Sequence, residues 1–158
     1  MIFVSVGTQL PFDRLIHAVD QWAGRNASET CFAQIGCGGK PPVHMNWRAM
    51  LDSVEHDAAL RGASLVVAHA GMGTVLRSAA LGRKLLLLPR RAELGEHRDD
   101  HQLATARQLE RMNVAKVAAD AAELAWWLDR REQIPQADIR SGDRATSLVR
   151  TLHEFIAG

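Results

Sequence analysis

Short apolar runs alternate with helical patterns along nearly the whole chain, and no other feature constrains its fold as strongly. Residues 2–6, 30–35, 43–47, 65–68, 85–88 and 114–117 read as strands of four to six residues. Helical spacing predicts helices over 13–24, 54–61, 74–81, 99–111, 120–130 and 143–156 between and after them. Leu15, Ile16, Val19 and Trp22 mark the buried face of the first helix; Leu103, Ala106 and Leu109 mark that of the helix over 99–111. Asp13 is expected to cap the first helix, Gly62 to close the second and Thr74 to open the third. Strands joined by helices give βα units and a parallel sheet covered on both faces. The expectation is one doubly wound, Rossmann-like α/β domain over residues 1–158, with no internal repeat and no interdomain linker.

The bulk numbers narrow the function classes. A chain of 158 residues, 47% apolar and with a formal net charge of +1, carries neither the basic excess of a nucleic-acid scaffold nor the charge imbalance of a disordered tail. No segment approaches the roughly 18–20 apolar residues needed to span a bilayer. Met1 leads straight into a strand-like run with no basic leader, so no signal peptide is expected. Cys31 and Cys37 are the only cysteines, and two free thiols suit a reducing, cytoplasmic setting.

In a doubly wound sheet ligands bind beyond the carboxyl ends of the strands. Three segments converge there. His69-Ala-Gly-Met-Gly-Thr74 follows the most apolar strand and opens a helix. Helix N-termini leave backbone donors unpaired and carry roughly half a positive charge, which suits phosphate. Gly71 and Gly73 allow a tight turn and close approach of an anion past Met72, and Thr74 adds a hydroxyl. His69 reads equally as a base, a donor or a structural hydrogen-bonder. The turn is neither a dinucleotide fingerprint, since Leu76 stands where a third glycine belongs, nor a Walker loop. Gly7 and Thr8, after the first strand, face the same crevice.

The third segment is Glu96-His97-Arg98-Asp99-Asp100-His101-Gln102. Sugar hydroxyls donate and accept, so carboxylates and amides such as Asp100 and Gln102 suit them. His97, Asp100 and His101 are also spaced so that a metal could be held, and a solvated helix start explains the same residues. Arg90, beside Arg91 and just before this stretch, reads as a cation that neutralises a diphosphate from the crevice rim.

Together these pieces resemble the C-terminal, donor-binding domain of GT-B glycosyltransferases of family 28. The likeness runs from Phe3-Val-Ser-Val-Gly-Thr8 and Phe12-Asp13 through His69–Thr74 and Leu81-Gly-Arg-Lys84 to the segment 94–105. It is strongest toward single-domain members: the donor-binding subunit of the dolichol-pathway UDP-GlcNAc transferase and bacterial exopolysaccharide counterparts. The resemblance implies that Gly7, Thr8, Gly71, Gly73 and Thr74 hold the donor diphosphate and that Asp100, His101 and Gln102 contact the donor sugar. Many relatives carry a ribose-binding glutamate three residues after the turn threonine. Here that position is Arg77, a donor with no acceptor capacity.

The acceptor site of a GT-B enzyme, often with its general base, lies on a separate domain for which this chain has no room. The resemblance therefore implies the donor-binding subunit of a two-component hexosyltransferase. It would move a sugar from a UDP-sugar to a lipid-linked saccharide in polysaccharide synthesis, with inverting stereochemistry and no metal or other cofactor. A membrane-associated acceptor-binding subunit would recruit it to the inner face of the membrane, the apolar face of 148–156 being a candidate contact. A non-catalytic nucleotide-binding regulatory module and a metal hydrolase built on His97, Asp100 and His101 are the competing readings.

Overall fold

A computed structural model describes residues 1–137 and 142–157, with the side chains of 142–145, 152 and 155–157 outside the description. Six parallel strands form one sheet in the order β3-β2-β1-β4-β5-β6. They are β1 (Ile2–Ser5), β2 (Cys31–Gln34), β3 (Asn46–Arg48), β4 (Leu65–Ala68), β5 (Lys84–Leu87) and β6 (Lys116–Val117). Ile2 pairs in register with Cys31 on one side and Leu65 on the other, so β1 lies between β2 and β4. The direction of winding reverses at β1–β4, and that switch point is where a doubly wound sheet opens a crevice.

The inner strands β1, β2, β4 and β5 are mostly apolar and buried because both faces are covered, and their period of two sorts them between two cores. Ile2, Val4, Leu65, Val67 and Leu86 face one core, together with Leu15, Ile16, Val19 and Trp22 of α1 (Asp13–Arg25) and Leu124 and Leu128 of α5 (Ala121–Asp129). Phe3, Val66, Ala68, Leu85 and Leu87 face the other. There they meet Leu60 of α2 (Ser53–Gly62), Val75 of α3 (Met72–Ala80), Leu109 of α4 (His101–Arg111) and Leu148 of α6 (Gly142–Ala157). The indole N–H of Trp22 donates to Asp129 Oδ1 at 2.8 Å, tying α1 to α5.

The expected elements are all present, with shifted ends. Thr74 does not cap α3: Gly71 is the N-cap, without a side-chain bond, and Thr74 is the third helical residue. Phe12, not Asp13, precedes α1, and the Asp13 carboxylate instead accepts from the Lys40 N–H at 3.0 Å. Gly62 is the last helical residue of α2, and Ala63 is its C-cap. The helix expected over 99–111 begins at His101. Among the described residues no helix is long and apolar enough to cross a membrane. Of the apolar face expected on 148–156, Leu148 is buried and Val149 is 40% exposed, while Leu152, Phe155 and Ile156 lie outside the described side chains.

Candidate functional site

A cavity of about 820 Å³ opens at the carboxyl ends of β1 and β4, the switch point of the sheet. That volume lies within the ordinary range for small-molecule sites. Its centre is the turn from β4 into α3. Met72, Gly73 and Thr74 line the cavity, and no side chain caps the first turn of the helix above them. The amide donors of that turn are therefore available to a ligand, reinforced by the helix dipole. A Cβ added to Gly73 would meet nothing within 4 Å, so the missing side chain leaves open room beside these amides.

The other two glycines both stand against His69. Gly71 has φ −81°, which any residue adopts, but a Cβ there would collide with Cε1 of His69. Gly7 does take a left-handed φ of +79°, and a Cβ there would stand 2.6 Å from His69 Nε2. Both glycines thus make room for one imidazole, which lies in the crease between β1 and α3. Burial, reinforced by the charge of Arg90, pushes the His69 pKa down to about 4, so the ring is neutral at pH 7. Its Nδ1 lies 3.0 Å from Gln102 Nε2, and Gln102 Oε1 accepts from the Arg90 N–H at 3.1 Å.

Arg90 is not on the rim. It is 3% exposed and lies beneath the cavity, its guanidinium stacked 4.7 Å from the Phe12 ring centroid. It donates to the carbonyls of Val6 (2.9 Å), Leu10 (2.7 Å), Pro11 (2.8 Å) and Glu96 (3.5 Å). A planar fork of donors suits this task, and the positive charge remains under the site without a direct carboxylate contact. The Glu96 carboxylate is bound instead to Arg14 through both oxygens at 2.9 Å and accepts from the Arg91 N–H at 3.0 Å. Glu96 is therefore committed to holding the loop after β5 and does not line the cavity.

The polar stretch expected to meet a sugar is divided by the fold. His97 and Gln102 line the cavity; Asp100 and His101 do not. Asp100 Oδ1 accepts from the Ala92 N–H at 3.0 Å, and His101 opens α4 on the exposed side. Among the described residues no three His, Cys, Asp or Glu side chains come together as a metal site, so His97, Asp100 and His101 are not a metal cluster.

One wall lies outside the residues singled out in the sequence. The start of α2 contributes Asp52, Ser53, His56 and Asp57. Asp52 caps α2 by accepting from the Glu55 N–H at 2.8 Å, while Glu55 accepts from the Asp52 N–H at 3.0 Å. This reciprocal box was legible as Asp52-Ser-Val-Glu55 and would have placed the helix start correctly. Asp57 accepts from Arg61 (2.7 Å) and from Arg77 of α3 (2.6 Å), and these two bonds hold its carboxyl below the usual range.

A crevice at the switch point of this topology, with an uncapped helix start at its centre, is the setting in which the family comparison is decisive. Residues 1–148 match the glycosyltransferase family 28 C-terminal domain. The chain belongs to that family. No curated protein matches it. Among solved structures, the solution structure of ALG13 aligns with 99% of this chain and 96% of its own, at TM-score 0.68 and 18% identity. The glycosyltransferase of kitacinnamycin aligns with 98% of this chain at TM-score 0.64 and 18% identity, and Acinetobacter baumannii MurG with 98% at TM-score 0.59 and 18% identity. This family 28 domain spans 39% and 48% of those two longer chains. The fold is thus that of the C-terminal half of GT-B glycosyltransferases.

Proposed function

We propose that this family 28 domain is the donor-binding subunit of a two-component glycosyltransferase that moves a sugar from a UDP-sugar to a lipid-linked saccharide. The observation that carries the proposal is the open first turn of α3. Its free amides, with empty room beside Gly73, face a cavity whose far lip is the Gly7–Thr8 loop. This arrangement suits a diphosphate, and Os79 of O. sativa, which shares the fold at TM-score 0.62, was crystallised with UDP.

In the proposed reaction an acceptor hydroxyl attacks the anomeric carbon in line, and the bond to the diphosphate breaks. Negative charge grows on the departing diphosphate, where the α3 amides, the His69 ring and the buried Arg90 charge stabilise it. Preorganised donors in a partly desolvated crevice need no reorganisation as charge develops, and such electrostatics is often the largest catalytic term. The reading calls for no metal or other cofactor.

No side chain of this chain is assigned as the base. A membrane-associated partner subunit supplies it, presents the lipid-linked acceptor and recruits the domain to the cytoplasmic face of the membrane. The stereochemistry is inverting. His97 and Gln102 stand nearest the donor sugar, and Asp57, fixed by Arg61 and Arg77, offers the ribose hydroxyls the acceptor that Arg77 lacks.

Calorimetric titration with UDP tests the proposal. Binding is expected with and without EDTA, and transfer from a UDP-sugar only after the partner is added. Absence of UDP binding refutes the donor site. Binding with no transfer in any partner's presence makes the chain a nucleotide-binding regulator, and chelator-sensitive activity would restore the metal-hydrolase reading.

A further inference from the structure

We infer that Gln102 is a positioning residue that locks His69 in one tautomer, with the ring proton on Nε2 and facing the donor cavity. The purpose of this device rests on the diphosphate reading above; the tautomer itself does not.

The assignment follows from what each atom can do. The backbone N–H of Arg90 can only donate, so the Gln102 atom 3.1 Å from it is the carbonyl oxygen. That contact settles the orientation of the amide, which could otherwise be read either way. The opposite end of the amide is an NH₂ group, which can only donate, and it lies 3.0 Å from His69 Nδ1. Nδ1 must then carry the lone pair, and the single proton of a neutral imidazole stands on Nε2. The ring cannot take a second proton without setting two donors against each other. Of the other titratable or charged groups acting on it, Arg90 and His97 both disfavour the charged form.

Nε2 is the nitrogen wedged between the two glycines: a Cβ on either Gly7 or Gly71 would stand 2.6 Å from it. The chain thus runs from a backbone amide at the end of β5, through one side chain of α4, to an N–H beside the first turn of α3. It adds an uncharged donor to the amides already there. This differs from a sugar contact as the role of Gln102, because its oxygen and one of its two amide protons are spent inside the protein.

Long-range proton–nitrogen spectra of the full ¹⁵N-labelled chain at pH 7 test the inference without ligand. His69 is expected to show a protonated Nε2 and an unprotonated Nδ1. In Gln102→Glu a carboxylate oxygen replaces the NH₂ group, the other oxygen stays with Arg90, and the new oxygen accepts a hydrogen bond from a protonated Nδ1. The ring should then carry a proton on Nδ1 and bind its second proton at least tenfold more tightly. A Gln102 that did not set the tautomer would leave the proton on the same nitrogen, whatever the added charge does to the second proton.

A native ring protonated on Nδ1, or a folded Gln102→Glu protein whose neutral His69 keeps its proton on Nε2, overturns the inference. The native measurement decides alone if the variant does not fold. UDP titration of the native chain reports separately: failure to bind removes the diphosphate reading and leaves the tautomer to the spectra.

Discussion

Arg14 in α1 grips both carboxylate oxygens of Glu96, 82 residues further along the chain, at 2.9 Å each. The pair is largely shielded, with side-chain exposures of 24% and 13%, and Arg14 also donates to the Pro89 carbonyl at 3.0 Å. It pins the loop after β5 to the first helix. Removing the charge in Glu96→Gln leaves Arg14 half-buried without its anion, and the expected loss is about 1–3 kcal/mol. Urea unfolding measures it; an unchanged midpoint would make the pair incidental.

Arg90 should be harder to replace than any residue at the rim. In Arg90→Met the carbonyls of Val6, Leu10 and Pro11 lose the side-chain donor that Arg90 gives them. A loss of about 3 kcal/mol or more is expected, visible as a large drop in Tm. A variant as stable as the native chain would show that water satisfies these carbonyls.

The two glycines of the α3 turn should respond in opposite ways. Gly73→Ala meets open space, sits inside a helix and is expected to keep the unfolding free energy or raise it by at most about 1 kcal/mol, with Tm unchanged or higher. Its methyl group intrudes where the diphosphate is proposed to lie, so UDP affinity should fall at least tenfold. Gly71→Ala drives a methyl group into His69 and should lower Tm before any ligand is added. Equal behaviour of the two in thermal unfolding and UDP titration would contradict this division.

His69 makes stability depend on pH in one direction. Its pKa in the folded chain is about 4, against an ordinary value of 6.5, so between these values the unfolded chain holds a proton that the folded chain excludes. The contribution of the buried neutral ring is complete above about pH 6.5 and is lost as pH falls toward 4. Unfolding free energy measured across that window should rise with pH more steeply in the native protein than in His69→Gln. Parallel curves would place the titration elsewhere.

The cysteines should differ in reactivity. Cys31 is buried, and desolvation, followed by the nearby Glu29, pushes its thiol up to about 11; Cys37 is exposed. Iodoacetamide at pH 8 is expected to label Cys37 and spare Cys31 until urea is added. Both cysteines lie in one tryptic fragment, so fragment-ion mass spectrometry of that peptide locates the label.

The sequence carried the frame of the molecule further than the details of its site. β4 spans the four residues expected, because Leu65–Ala68 is a wholly buried apolar run closed by the polar His69. Helix starts moved where a residue with the chemistry of a cap stood near the true boundary: Thr74 and Asp13 have suitable oxygens, but the chain turns into the helix at Gly71 and Phe12. The turn from β4 into α3 was legible because a short apolar run, two glycines and a helical pattern follow one another in the chain. The partners of Arg90, Glu96 and Gln102 were not, because they lie 80, 82 and 33 residues away and only the folded sheet brings them together. The Asp52 and Asp57 wall was missed for the same reason, as no local pattern says which helix borders a cavity formed by other strands.

The sheet ends in β3, three exposed residues, on one side and in β6, two residues, on the other. Such brief margins offer a foreign strand almost no ladder to extend. The partner proposed above would therefore dock on side chains or helical surfaces rather than extend the backbone ribbon.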